Sequence, residues 1–322
     1  MKELISLIMT FVIAAVFNIY PPTYEPLYKD TDLSFAVISD VHMEGNNNDR
    51  FKQFPKILMD ISGAQHRNDA LVLLGDNTMN GQFIEHSFLF MQLKLFCNAR
   101  NILEAMGNHE IFTAENGYDR GSAKFKFFAG LLAGKKLDKT YYSKVINGYS
   151  FIVLGSEADK GIQAYISPEQ LEWLDARLTE ADASGKPAFV FCHFPLKGAV
   201  AREWPEGTIG EQSADVYNIL TSHKNVFYFS GHIHNPIDSV SVGSKDGVTF
   251  IDVPCLLSSE DTGVGYQVEV HGGKVELRPR NYLTGEWLDD LAVSIGLAAQ
   301  PQYVVCVVNR CDPFSVKNKV KI

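Results

Sequence analysis

Five short islands of chemistry stand out in this chain: Asp40-Val41-His42, Gly75-Asp76, Gly107-Asn108-His109-Glu110, His193 and Gly231-His232-Ile233-His234. Each offers carboxylate, imidazole or amide groups. A set so rich in Asp, His and Asn, and without a thiolate, suits a borderline or hard divalent metal, and its size suits a pair. The chemistry to expect is metal-dependent hydrolysis. Asp76 follows Gly75, where a strand can turn sharply, and its two oxygens could bridge two cations. Asn108 offers a neutral carbonyl oxygen that limits the negative charge. His193, His232 and His234 supply imidazoles. Asp40 and His42 are one residue apart, so in an extended strand end both point the same way.

Each island directly follows an apolar run, at residues 33–39, 70–74, 102–106, 188–192 and 226–230. These runs read as strands of one buried parallel sheet, and such sheets bind ligands at the carboxyl ends of their strands. The five islands should therefore meet at one sheet edge. His66, His86, His223 and His271 lie outside the islands and read as surface or helix residues. Cys192 reads as a buried strand residue rather than a nucleophile.

Taken in order, the islands resemble the calcineurin-like metallophosphoesterase superfamily, over the stretch from Asp40 to His234. One island alone is a weak signal; all five in order, each after a hydrophobic run, are specific. The resemblance implies a phosphohydrolase that cleaves a phosphate mono- or diester of a small substrate through in-line attack by a metal-bridging hydroxide. It implies Asp40, His42, Asp76 and His234 around one metal, and Asp76, Asn108, His193 and His232 around the other. Mixed nitrogen and oxygen ligands favour Mn, Fe or Zn, divalent or in mixed valence. His109, in the same likeness, faces the substrate, contacting the phosphate or protonating the leaving oxygen, with Glu110 orienting it. Two departures are visible. Many relatives carry Asp at the position of Glu110. His42 stands where the purple acid phosphatase branch has Gly, and no tyrosine ligand follows Asp76, which argues against a purple iron site. The alternatives are a catalytically silent binding module on the same fold and a nuclease. Every expected ligand position is filled, which counts against the first, and the acidic charge balance counts against the second.

The chain has 322 residues, 46% of them hydrophobic, which is enough to bury a large core in one α/β domain. A net charge of −9, with no basic stripe, makes nucleic acid an unexpected partner. The five cysteines are odd in number and scattered, unlike a disulfide framework. Cys306 and Cys311 are near enough to pair if the protein is exported, and are otherwise two free thiols. Residues 4–20 carry no charge and are mostly apolar, and Pro21-Pro22 and Pro26 follow. This stretch reads as a signal peptide or an N-terminal membrane anchor, with the catalytic domain outside the cytoplasm; a buried N-terminal helix is the competing reading. The expected organisation is a leader or anchor plus linker at 1–30, a catalytic domain at 31–285 and a C-terminal tail at 286–322 with no assigned role.

Apolar periodicity predicts helices at 51–65, 84–97 and 122–133. A fourth begins after Ser167, which can cap it; Pro168 fits the first position and Gln170 completes a capping box. Segments 141–145 and 149–154 read as a hairpin around Asn147-Gly148. Strands at 248–253, 266–270 and 274–277 suggest a second, more antiparallel sheet. The predicted fold is α/β, a four-layer α/β/β/α sandwich with two mixed β-sheets. Residues 43–50, 78–80 and 197–211 should border the cleft. In the last of these, Arg202 could pair with a phosphate and Trp204 could stack on a base or sugar, or both could simply anchor the loop.

Overall fold

The computed structural model describes residues 24–28, 30–45, 48–111, 117–199, 207–257 and 262–297. The expected leader at 4–20, Arg202, Trp204, Cys306 and Cys311 lie outside these residues. Among the described residues, no helix is long and apolar enough to cross a membrane. The first half runs β1 (Leu33–Ile38), α1 (Asn48–Ser62), β2 (Ala70–Leu73), α2 (Phe83–Phe96), β3 (Ile102–Glu104), α3 (Gly117–Ala133), β4 (Tyr142–Ile146) and β5 (Tyr149–Val153). The second half runs α4 (Pro168–Ser184), β6 (Ala188–Phe191), α5 (Ser213–Thr221), β7 (Val226–Ser230), β8 (Val242–Lys245) and β9 (Val248–Asp252). It ends with β10 (Val264–His271), β11 (Lys274–Asn281), β12 (Glu286–Trp287) and β13 (Val293–Gly296).

Two mixed sheets result. One has the order β12-β11-β10-β1-β2-β3, with β13 also on β11; the other has the order β4-β5-β6-β7-β9-β8. The five apolar runs before the islands therefore do not share one sheet, as the sequence pattern predicted. β1, β2 and β3 lie in the first sheet, and β6 and β7 in the second. The antiparallel strands are divided as well: β10 and β11 extend the first sheet, and the β4–β5 hairpin extends the second. The physical reason is simple. An unbroken apolar run reports that a strand is covered on both faces, and here both sheets are covered on both faces.

Alternating side chains along the strands build three apolar layers. Leu33, Phe35 and Val37 of β1 face the gap between the sheets, where Phe151, Phe189 and Phe229 meet them. The Phe35 ring lies 5.0 Å from both Phe151 and Phe189. Ala36 and Ile38 point the other way, onto Ile57 and Leu58 of α1 and Leu89 and Leu93 of α2. On the second sheet, Ala188 and Val190 pack outward against Leu174 and Leu178 of α4 and Val216 and Leu220 of α5. A Phe-to-Ala truncation in the middle layer costs about 3–5 kcal/mol, so the two sheets are held firmly face to face.

Local signals explain several ends. Ser167 accepts the Gln170 amide N–H and Gly185 closes α4 in the left-handed conformation, φ 73°. The expected capping box is only half formed. The Gln170 side chain bonds Gly155 and Glu157 instead, and the Ser167 amide donates to Glu157 at 2.9 Å. Residues 24–28, expected as part of a linker, dock on the first sheet. The Tyr24 hydroxyl donates to Gln267, and the Leu27 amide donates to Glu269. Beneath Tyr24 the buried Arg280 guanidinium, 4.3 Å from the ring, forks onto Asp60 of α1 at 2.7 and 2.9 Å.

Candidate metal centre

The island residues sit where the carboxyl edges of the two sheets meet. The backbone is unusual there: Asp40, His42, Asp76, His232 and His234 all have positive φ, between 47° and 74°. Such angles cost non-glycine residues of order 1–3 kcal/mol each and persist where the surroundings impose them. Asp40 and His42 thus share a direction because both adopt left-handed angles past the end of β1, not because a strand continues through them. Cross-links hold the turns in place. The Asp40 amide donates to Gly75 O at 3.1 Å, the His42 amide to Asp76 O at 2.8 Å and the Gly231 amide to His193 O at 3.0 Å. Gly107 must be glycine, because a Cβ there would run into the Asp76 carboxylate and amide.

Two groups of ligand atoms form. In the first, Asp40 Oδ1 lies 2.9 Å from His234 Nε2 and 3.7 Å from His42 Nε2, and the two imidazole nitrogens are 3.1 Å apart. In the second, His193 Nε2 lies 3.2 Å from Asp76 Oδ2 and 3.1 Å from His232 Nδ1. Ligands about 2.0–2.2 Å from one ion stand roughly 3.0–3.5 Å from each other, so both groups have the spacing of a coordination shell. Asp76 also lies with His42 and His109 in a cluster of mutually close ligand atoms, which places its carboxylate between the two groups. Asn108 Oδ1 is buried without a hydrogen-bond partner, a cost of about 1–3 kcal/mol that a cation would remove. The donor set therefore fits two metal ions.

Electrostatics point the same way. Burial opposes ionisation of Asp40 and Asp76, but the neighbouring imidazoles, His234 and His193 for the first and His193 foremost for the second, hold both carboxyls well below the usual range. Burial also disfavours charge on His193, yet Asp76, followed by Asp40 and Glu110, pushes it up to about 9. Burial keeps His42 and His232 neutral, pulling each down to about 4. In the protein without metal, a proton on His193 offsets the carboxylates; a metal taken up there displaces it. The His193 Nδ1–H donates to Leu74 O at 3.0 Å, which turns Nε2 inward.

His109 is oriented by a backbone carbonyl: its Nδ1–H donates to Met79 O at 2.7 Å. Its Nε2 then stands 3.8 Å from Asp76 Oδ2. Glu110 has another task than the expected one. Its carboxylate accepts from the amides of Asp76, Gly107 and Thr78 and from the Thr78 hydroxyl, at 2.7–3.1 Å. It ties the second and third islands together beneath the site, and burial, then the Asp76 charge, pushes it up to about 7. The His109 and His234 side chains are the open ones, 26% and 42% exposed, whereas Asp40 and His193 are sealed. Among the described residues of the centre, these two imidazoles face solvent most.

One residue escaped the sequence pattern. Cys255 lies in the segment that leaves β9 and crosses to the first sheet, and its Sγ joins His42 and His234 in a close group. The islands themselves carry no thiol, and the fold brings this one beside them. A signal existed: like the islands, Cys255 closely follows an apolar run.

Residues 33–236 match the calcineurin-like phosphoesterase family. The chain belongs to that family. A comparison with curated protein sequences finds no match. Among solved structures, a dimetal phosphatase from Danio rerio superposes with a TM-score of 0.59 at 16% identity, over 84% of this chain and all of that one. A sulfate thiohydrolase from Thermus thermophilus gives 0.45 at 11% identity, over 83% of this chain and 60% of that one. A cold-active protein-tyrosine phosphatase from Shewanella gives 0.35 at 14%, over 85% and 82%. The first of these likenesses speaks for the fold. The family match makes this a metal-dependent phosphoesterase.

Proposed function

We propose that this phosphoesterase hydrolyses a small phosphate mono- or diester at a binuclear centre of Mn, Fe or Zn. The observation that carries the reading is the Asp76 carboxylate lying between two ligand groups, with His109 at the open side. Asp40, His42 and His234 would hold one ion, and Asn108, His193 and His232 the other, with Asp76 common to both. When bound, the ions supply an acidified water and neutralise charge on the phosphoryl oxygens. The chain does the rest. Left-handed turns fix the ligands before substrate arrives, and the buried walls keep the field strong. The Met79 carbonyl accepts the His109 Nδ1–H and turns Nε2 toward the open side, where the ring, when it also carries a proton on Nε2, would contact the phosphate or give that proton to the leaving oxygen. The test is a substrate panel on metal-loaded protein, with bis-p-nitrophenyl phosphate beside p-nitrophenyl phosphate and cyclic AMP. Turnover of at least one is expected. Protein holding two metals and inert toward phosphoesters of both kinds would overturn the reading.

The uncharged apolar stretch at 4–20 supports export, by a cleaved signal or a membrane anchor. A truncation for the test should begin before Tyr24, since residues 24–28 pack on the first sheet. Soluble, metal-binding truncated protein and membrane-bound or extracytoplasmic full-length protein are the expected pair. Cytoplasmic full-length protein with a misfolded truncation would sink the export reading.

A further inference from the structure

We propose that the Cys255 thiolate is a protein ligand of the metal held by Asp40, His42 and His234. The inference rests on the binuclear reading and adds a sulfur donor to one half of it. Cys255 Sγ and one ring nitrogen each from His42 and His234 all lie within 4.8 Å of one another. Two ligands on opposite sides of one ion, with bonds of ~2.1 Å to nitrogen and ~2.3 Å to sulfur, stand roughly 4.4 Å apart. The thiol is buried at 3% exposure, and its Sγ–H reaches Asp40 O at 3.4 Å. Its backbone is pinned beside the first island, because Cys255 bridges Ser39 and the Leu256 amide donates to Ser39 O at 2.9 Å. Cys97 and Cys192, the other free cysteines among the described residues, belong to no such cluster.

As the sulfur–metal bond forms, the thiol proton leaves to solvent and the sulfur keeps the electron pair. The two halves then differ in kind. The Asp76, His193 and His232 half is nitrogen and oxygen only, while the Asp40 half gains a soft donor that favours Zn or Fe over Mn.

Cobalt(II) loading of the full chain tests this without reference to activity. We expect two cobalt ions per chain and a near-ultraviolet sulfur-to-cobalt absorption, lost in Cys255→Ser while cobalt stays in the Asp76 half. X-ray absorption on zinc-loaded wild-type protein covers the case of a variant that does not fold: one sulfur at about 2.3 Å for every two zinc ions is expected. Two metals with only nitrogen and oxygen neighbours would overturn the thiolate and leave the binuclear centre standing. A sulfur band that survives in Cys255→Ser would also overturn it. One metal per chain with the sulfur signal present would do the reverse, keeping the thiolate and removing the pair.

Discussion

Two imidazoles in this molecule are almost equally buried, yet their pKa values are pushed in opposite directions. His193 is sealed between the sheets' carboxyl edges, 3.2 Å from Asp76, and is pushed up to about 9. His86 is sealed under α3, its ring stacked on Phe128 at 5.3 Å and 8°, and burial, then the charge of Lys124, pulls it down to about 3. Burial alone therefore does not mark a site. A desolvated imidazole with no counter-charge stays neutral and packs as an aromatic, while the same ring beside carboxylates becomes part of a place prepared for a cation. What separates the metal centre from the helix layer is its excess of buried negative charge.

Removing that charge should have the largest effect. Asp76→Ala takes away the carboxylate next to His193 and the common member of both groups. Elemental analysis should find less than one metal per chain, and turnover should fall beyond the roughly 10²–10⁴-fold range of a lost acid–base group. A variant that still held two ions would show that carboxylates of one group alone suffice. His109→Ala should fall inside that range with both ions kept, because the ring is fixed by Met79 O and lies at the open side. A leaving group of low pKa should restore part of the loss. An emptied site in this variant would make His109 a ligand and enlarge the charged region.

Glu110→Gln probes the support beneath the centre. Four donors converge on the carboxylate, and an amide side chain offers one acceptor oxygen and a clashing NH₂ group. Metal affinity, read by competition with a chelator, should weaken by roughly 10–100-fold, the usual scale for groups that orient ligands. Unchanged affinity would mean that the left-handed turns hold their shape without it.

Much of this was legible in the sequence, and the gaps have physical causes. The helix at 84–97 and the hairpin around Asn147-Gly148 appear within a residue or two of their expected ends, as Phe83–Phe96 and as Tyr142–Ile146 with Tyr149–Val153, because apolar period and turn chemistry act locally. The assignment of strands to sheets was not legible, since a run such as 188–192 looks the same in either sheet. Nor were the left-handed angles at Asp40 and His232, which tertiary cross-links impose on residues that do not demand them. Glu110 could be placed near the site but not given its partners, for Thr78 lies 32 residues away. Cys255 followed an apolar run as the islands do, but its partner could not be read, since only the crossover from β9 to the first sheet brings it to His42. β12 and β13 went unread because they are short and half exposed, and so carry little pattern.

The smallest predicted effect concerns His86 and acts on stability alone. Its folded pKa, about 3, lies below the ordinary value of 6.5. Between those limits the unfolded chain binds the extra proton, so stability rises with pH there. The full contribution is present above about 6.5 and is lost progressively as pH falls toward 3. His86→Leu removes the titrating group and keeps an apolar contact for Phe128. Between about pH 4 and 6, the unfolding free energy of the wild-type chain should therefore fall more steeply than that of the variant, by about 1.4 kcal/mol per pH unit. Urea titrations of both proteins across that window measure the difference directly, and taking the two slopes against each other cancels the carboxylates they share. Equal slopes would mean that water reaches His86 in the native state. The contrast with His193 would then be one of hydration as well as of neighbouring charge.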